Sequence, residues 1–210
     1  MWQSLAKFMI EGGWVMWIIL GVGIFAAAIL LERTLFLFIG HRGDSRKFVS
    51  NILELVSEGK TDVALRGLGK RKTPLANLIF VALLRHHEGL GSDDIRKGVE
   101  EASIKEIPRL SNRLNLLSLA ANVATLLGLL GTIFGLQDAF SSLRLAEGAA
   151  KAQALALGIS TAMNTTAFGL VVAIPCMVAY TQLINKQARL TDDLDEATVT
   201  TLNFLESLRK

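Results

Sequence analysis

The stretch LNLLSLAANVATLLGLLGTIFGLQ, residues 114–137, runs for 24 residues without an Asp, Glu, Lys, Arg or His. Two further uncharged runs occupy residues 12–31 and 152–185, with 20 and 34 residues. A hydrocarbon core of ~30 Å is crossed by roughly 20 residues of α-helix, so each run is long enough to span a membrane. The sequence therefore predicts an all-α integral membrane protein with three transmembrane helices, at residues 14–38, 114–140 and 152–184.

Positive charge is distributed unevenly around these runs. Of the 22 Lys and Arg residues, 14 lie in residues 42–113, one precedes the first run, and two separate the second run from the third. The positive-inside rule places the residues between the first two spans in the cytoplasm. We therefore expect the following segments: a periplasmic amphipathic start at 1–13, a cytoplasmic helical domain at 39–113, a periplasmic loop at 141–151 and a cytoplasmic C-terminal helix at 185–210.

Local signals divide the cytoplasmic domain into short helices. Thr73 followed by Pro74 is a strong helix start, and Thr61 is expected to cap an earlier helix. Pro108 is expected to begin the long second membrane helix, so that the second and third membrane helices both extend into the cytoplasm. Acidic residues are mixed with the basic ones throughout this domain, which disfavours a nucleic-acid surface. A cleaved signal peptide is an alternative for the first run, but the run is longer than a typical signal core.

Polar residues recur on one face of the second span. At 100° per residue they share roughly a 100° stripe, which must face protein or water because polar groups facing lipid are costly. Interhelical hydrogen bonding and a pore lining are both open as explanations. The stripe consists of Asn115, Ser118, Asn122, Thr125 and Thr132.

The third span has a denser polar cluster. Hydroxyl and amide groups can replace the water shell of an ion without introducing a charge, and interhelical hydrogen bonding is again the alternative. The cluster consists of Ser160, Thr161, Asn164, Thr165 and Thr166.

Glycine residues occur beside the polar stripe of the second span and the polar cluster of the third span, and they predict close packing of these helices. Gly131 and Gly135 form a GxxxG motif, which allows two helix backbones to approach each other. Pro175 in the third span is expected to bend its helix. The predicted packing set is Gly128, Gly131, Gly135, Gly169 and Pro175.

The second and third uncharged runs offer no ionisable Asp, Glu, Lys, Arg or His to carry a proton across the membrane. A proton crossing hydrocarbon normally needs a titratable relay group, so any such carrier must come from another chain. The single cysteine, Cys176, excludes an internal disulfide. We find no nucleophile–base pair, phosphate loop or set of metal ligands, so we expect neither an enzyme nor a bound cofactor.

The stretches GLLGTIFGL at residues 128–136 and GISTAMNTTAFGL at residues 158–170 resemble the second-span and third-span motifs of the MotA/TolQ/ExbB proton channel family. The layout of the chain is closest to ExbB and TolQ. Two departures are visible. Thr161 stands where ExbB and TolQ usually have Glu, and no proline precedes the second-span motif. The flagellar stator MotA has four spans and a larger cytoplasmic domain, so it is disfavoured.

The resemblance implies a homo-oligomer of five copies around a central pore in the bacterial inner membrane, with the N-terminus periplasmic and the C-terminus cytoplasmic. A dimer of an ExbD/TolR-like single-span protein would supply a membrane Asp as the proton carrier, and a TonB- or TolA-like protein is a further partner. The pore threonines of the family match Thr132 and Thr166. The other expected pathway residues are Asn122, Thr125, Thr161, Asn164 and Thr165, and sodium is the alternative to protons.

The resulting prediction is a motor subunit that uses the proton motive force to energise TonB-dependent outer-membrane transport. Within the family, a Tol envelope-integrity system and a gliding-motility motor are alternatives. An alternative from a different class is a membrane scaffold that conducts no ions.

Overall fold

The computed structural model describes residues 8–39, 45–71, 73–145 and 149–208, and every regular element among them is helical. A helical turn at residues 8–11 precedes the first long helix. The helices are α1 (Trp14–Thr34, continued by the π-helical residues Leu35–Ile39), α2 (Ser45–Ser57), α3 (Thr61–Gly69), α4 (Pro74–His87), α5 (Ser92–Ser111), α6 (Leu114–Leu145) and α7 (Ala149–Ser207). Three stretches are long and apolar enough to cross a membrane: Trp14–Phe38, Ser92–Leu143 and Ala150–Ser207.

The chain forms two compact units. The first unit takes the described residues of Met1–Arg33 and Arg113–Gln182, and the second takes those of Thr34–Asn112 and Leu183–Lys210. The first unit therefore contains α1, α6 and most of α7. The second contains α2 to α5 and the C-terminal part of α7.

Small residues bring α6 and α7 together in the first unit. A Cβ built on Gly135 would lie 2.8 Å from the backbone nitrogen of Ala162, and one on Gly169 would lie 2.7 Å from the carbonyl oxygen of Ala124. A Cβ on Gly128 would meet the Cα of Thr166 at 3.3 Å, and one on Gly131 would collide with the Thr165 side chain. Four of the five predicted packing residues thus lie at the α6–α7 interface. Pro175 lies inside α7 and is exposed.

The second unit has an apolar core, in which the side chains of Glu106 and Thr201 are also buried. Ile79 and Leu83 of α4 are fully buried, as is Leu110 of α5. Glu106 is only 7% exposed, and it accepts hydrogen bonds from Asn77 (3.0 Å) and Arg109 (2.8 Å). These bonds satisfy a carboxylate that would otherwise be costly to bury.

The start of α4 matches the sequence prediction. Thr73 has an extended backbone, its Oγ1 accepts the N–H of Ala76 at 3.4 Å, and Pro74 follows as the first helical residue. The cap suggested at Thr61 is wrong: Lys60 is the cap residue of α3, and no side chain makes a capping bond there.

The expected start of the second membrane helix at Pro108 is also wrong. Pro108 lies inside α5, which ends at Ser111, and α6 begins at Leu114 after a break where Arg113 adopts a left-handed φ of 61°. Proline favours the first turn of a helix. Here α5 begins 16 residues earlier, at Ser92, and packs against α4, so Pro108 lies in the last turns of that helix in spite of its local preference.

The connection between the second and third membrane helices is shorter than the predicted loop at 141–151. Helix α6 continues to Leu145, and α7 begins at Ala149. The uncharged runs show which residues suit the hydrocarbon core, but they do not show where the helices end. Ala- and Leu-rich segments with a few charges are good helix formers, so both helices extend beyond the uncharged runs. Residues 1–7 of the expected amphipathic start lie outside the described residues.

Candidate ion pathway

The polar stripe of α6 lies on the side of that helix away from α1. Trp14 of α1 packs against Phe134 of α6, with ring centroids 5.4 Å apart. At 100° per residue, Asn122, Thr125 and Thr132 lie about 120–180° around α6 from Phe134. In the isolated protomer Asn122 and Thr125 are exposed and Thr132 is half-buried.

The two threonine hydroxyls of this stripe donate hydrogen bonds within their own helix. Thr125 donates to the carbonyl oxygen of Ala121 at 3.0 Å, and Thr132 donates to that of Leu129 at 2.6 Å. Each hydroxyl oxygen keeps lone pairs that can accept a hydrogen bond from water or contact a cation. This face of α6 is therefore polar without being charged.

Thr161 and Thr165 of α7 have a different position, facing the turn that precedes α1. Thr161 donates to the carbonyl oxygen of Glu11, and Thr165 donates to that of Gly12, both at 2.8 Å. The helical conformation is interrupted there, because Gly13 adopts a φ of +78° between the turn at residues 8–11 and α1. Thr165 is 0% exposed. Its position fits the hydrogen-bonding interpretation, since it has no surface with which to line a pore.

Thr166 points to the opposite side of α7, about 140° around the helix from Thr161. It is half-buried and donates to the carbonyl oxygen of Gly128 at 3.0 Å, so it joins α7 to α6. Asn164 is half-buried and lies about 60° from Thr161, on the side of Thr161 rather than that of Thr166.

The seven predicted pathway residues thus separate into two groups. The group on the side away from α1, which we call the hydroxyl face, contains Asn122, Thr125, Thr132 and Thr166. The other group, Thr161, Asn164 and Thr165, lies toward α1, and two of its members hold the turn before α1. The structure does not bring all seven onto one surface.

Charged groups in the first unit lie at the ends of the helices. Arg113, at the break before α6, donates to both carboxylate oxygens of Glu32 at 3.0 and 2.9 Å. Glu32 also lies 3.7 Å from its neighbour Arg33. Glu32 and Arg113 are 81 residues apart in the sequence, so this pair becomes visible only in the folded protein. No group of three His, Cys, Asp or Glu residues suited to a metal ion occurs in the described parts of the chain.

The contacts of the turn before α1 were also missed by the sequence prediction. Two adjacent glycines, Gly12 and Gly13, were the available signal, because a glycine pair before an apolar run favours a break in the helix. What the pair does not reveal is that two threonines about 150 residues later would supply the donors for its carbonyl oxygens.

Comparison with known proteins gives consistent results. Residues 70–196 match the family model described as the MotA/TolQ/ExbB proton channel family. A putative biopolymer transport protein ExbB-like 3 from Synechocystis is 33% identical over 168 residues, which cover 80% of this chain and 79% of that protein. An ExbB homologue from Methanothermobacter thermautotrophicus is 28% identical, over 89% of this chain and 64% of that protein.

A Tol-Pal system protein TolQ from Haemophilus influenzae is 42% identical over 79 residues, covering 38% of this chain and 34% of that protein. Among solved structures, C. jejuni MotAB is similar with a TM-score of 0.55 and 15% identity, over 97% of this chain and 92% of that chain. At that identity the likeness concerns the fold alone.

Proposed function

The chain belongs to the MotA/TolQ/ExbB proton channel family, and on that premise we propose that it is the ion-conducting subunit of an inner-membrane motor that energises TonB-dependent outer-membrane transport. The observation that supports this role is the hydroxyl face. It presents polar groups on one side of the α6–α7 pair, in segments that contain no Asp, Glu, Lys, Arg or His. Such a surface suits a path for a small cation whose charge is carried by another group.

The carrier in this proposal is a membrane Asp on a dimer of an ExbD/TolR-like single-span partner. Five copies of this chain surround the partner helices, with the hydroxyl face turned inward. The transported ion is a proton, with sodium as the alternative. A protein of the TonB or TolA type transmits the energy to the outer membrane.

The proposed topology follows the charge distribution. The N-terminus and the α6–α7 connection face the periplasm, whereas residues 39–113 and the end of α7 lie in the cytoplasm, as the excess of Lys and Arg between the first two spans favours.

Proton flux tests this proposal directly. The chain is co-expressed with its candidate single-span partner, and the purified complex is reconstituted into liposomes that contain a pH-sensitive dye. Thr132→Val and Thr166→Val should remove most of the flux, because each replaces a hydroxyl of the hydroxyl face with a methyl group. Thr181→Val is the matched control: its exposed hydroxyl donates within α7 to Met177 at 3.0 Å and lies outside the hydroxyl face.

Thr166 needs a second variant because its hydroxyl also joins two helices. Thr166→Ser keeps the hydroxyl and should keep both assembly and flux. We expect this chain without its partner to conduct poorly, since it lacks the carrier. A strong proton leak from this chain alone would contradict the proposal that the partner supplies the proton carrier.

One observation favours a second candidate function, a scaffold that conducts no ions. Thr161, Thr165 and Thr166 all donate to backbone carbonyls of another segment of the same protomer, as interhelical hydrogen bonds would. Full activity of both valine variants in an energised transport assay would support the scaffold. A Tol or gliding system is distinguished by the partner that co-purifies.

A further inference from the structure

We infer that a groove between α2 and the C-terminal part of α7 receives the basic face of α3 from a neighbouring copy of this chain. This inference rests on the proposed homo-oligomer and adds a specific contact between its subunits. All residues involved belong to the second unit, outside the candidate ion pathway.

The groove encloses about 680 Å³ and has an apolar base with an acidic rim. Val49 and Leu53 of α2 and Ala197 of α7 are buried in its lining. Glu54 is exposed at its edge, and no ion pair involves this carboxylate among the described residues. Among the described residues, Asp193 accepts one hydrogen bond, from the neutral hydroxyl of Ser45 at 3.2 Å.

One arginine already occupies one end of the groove. Arg46 binds Glu196 with nitrogen–oxygen distances of 3.0 Å. The carboxylates of Glu54 and Asp193 remain to attract further positive charge, while the apolar base favours an aliphatic side chain. The groove therefore suits a helix face that combines a small apolar residue with two cations.

Helix α3 presents such a face. Val63, Arg66 and Lys70 follow a spacing of three and four residues, so they share one side of the helix. Val63 is 56% exposed, and both cations are exposed. Among the described residues, neither Arg66 nor Lys70 takes part in an ion pair. Helix α3 and its C-cap residue Lys70 thus present an exposed apolar residue followed by two positive charges that are available to another chain.

The groove lies on the flank of α2 opposite to the one that contacts the end of α3. Arg71, directly after α3, lies over the ring of Phe48 at 4.7 Å and marks the flank of α2 nearest to α3. Ser50 and Ser57 line the groove, and they lie about 160–180° around α2 from Phe48. Two different, complementary surfaces on opposite flanks produce head-to-tail contacts, which close into a ring when the rotation permits.

Disulfide trapping tests the contact in membranes that contain the full chain. Cys176 is the single cysteine, so Cys176→Ser gives a background without thiols. In that background Val63→Cys is combined with Ser50→Cys, and mild oxidation should produce a ladder of interchain products. Each single-cysteine variant should remain a monomer on denaturing gels, because a head-to-tail contact does not bring like positions together.

The matched control combines Ser50→Cys with Ile104→Cys. Ile104 is a 70% exposed apolar residue on α5 and lies outside the basic face, so this pair should not cross-link. Arg66→Glu together with Lys70→Glu should lower the yield of the ladder at least about tenfold, since it places like charges opposite each other. Adding Glu54→Lys should restore part of the yield, and raising the salt concentration should lower the wild-type yield.

Native mass spectrometry of the wild-type protein separates this inference from the proposed function. An intact oligomer combined with no ladder, or with an equal ladder from the Ile104 control, would overturn the interface and leave the motor proposal standing. A peptide from another protein in the groove would likewise leave the ladder absent. A wild-type monomer would overturn both the assembly and the interface.

Discussion

Replacing Gly135 with alanine should force α6 and α7 apart. A Cβ at this position would lie 2.8 Å from the backbone nitrogen of Ala162 and 3.0 Å from its Cα. Carbon atoms pack at about 3.5 Å or more, so the helices must separate by roughly 0.5 Å. Because the obstructing atoms are backbone, no side-chain rotation relieves the contact.

The expected magnitude comes from two opposing effects. Overpacking costs about 1–3 kcal/mol, and alanine regains up to ~1 kcal/mol over glycine in a helix interior. Gly135→Ala should therefore lower the free energy of unfolding by roughly 1–2 kcal/mol. The matched control is Gly21→Ala in α1, where a Cβ would meet nothing within 4 Å, so only the helix-propensity gain applies.

Reversible unfolding in mixed detergent micelles measures this difference. The purified protein is titrated with SDS, and the fluorescence of Trp14 and Trp17 in α1 reports the loss of packing. If Gly135→Ala proves as stable as Gly21→Ala, the close contact between α6 and α7 is not present in the folded protein.

The same unfolding assay tests three further predictions. Thr165→Val removes the buried donor to the carbonyl oxygen of Gly12 and should cost about 1–3 kcal/mol, whereas Thr165→Ser keeps that donor and should cost no more than about 1 kcal/mol, from the loss of one buried methyl group. Arg113→Gly should change stability by less than about 1 kcal/mol, because relief of its left-handed backbone offsets the loss of an exposed ion pair with Glu32; Arg113→Val should be clearly worse. Glu106→Ala should cost about 1–3 kcal/mol because it removes a buried carboxylate that accepts hydrogen bonds from half-buried Asn77 and exposed Arg109, and a neutral result would contradict the assigned hydrogen bonds.

Several features of the fold were predictable because their causes are local. The start of α4 depends on Thr73 and Pro74, two adjacent residues whose hydrogen-bonding and backbone preferences act within one turn. Pro108 shows the limit of the same logic. Its preference for a first turn is a few kcal/mol at most, and the packing of α5 against α4 determines where that helix begins and ends.

The candidate site was predictable as a set of polar residues, but its arrangement was not. The sequence placed Thr161, Thr165 and Thr166 in one cluster, whereas the structure directs Thr161 and Thr165 toward the turn before α1 and Thr166 toward α6. A helical wheel gives the angles between residues on one helix. It does not say which neighbouring helix stands at each angle.

Three segments that suit a membrane can be recognised without a structure, because the free energy of transfer into hydrocarbon depends on the chemistry of each side chain, summed over about 20 residues. The sequence also shows this directly in its three uncharged runs. It also fixed the absence of Asp, Glu, Lys, Arg and His from the second and third uncharged runs. The packing of the helices decides which hydroxyls bond to another segment, as those of Thr161, Thr165 and Thr166 do, and which bond within their own helix, as those of Thr125 and Thr132 do. That division depends on which backbone carbonyls come within hydrogen-bonding distance once the helices have packed.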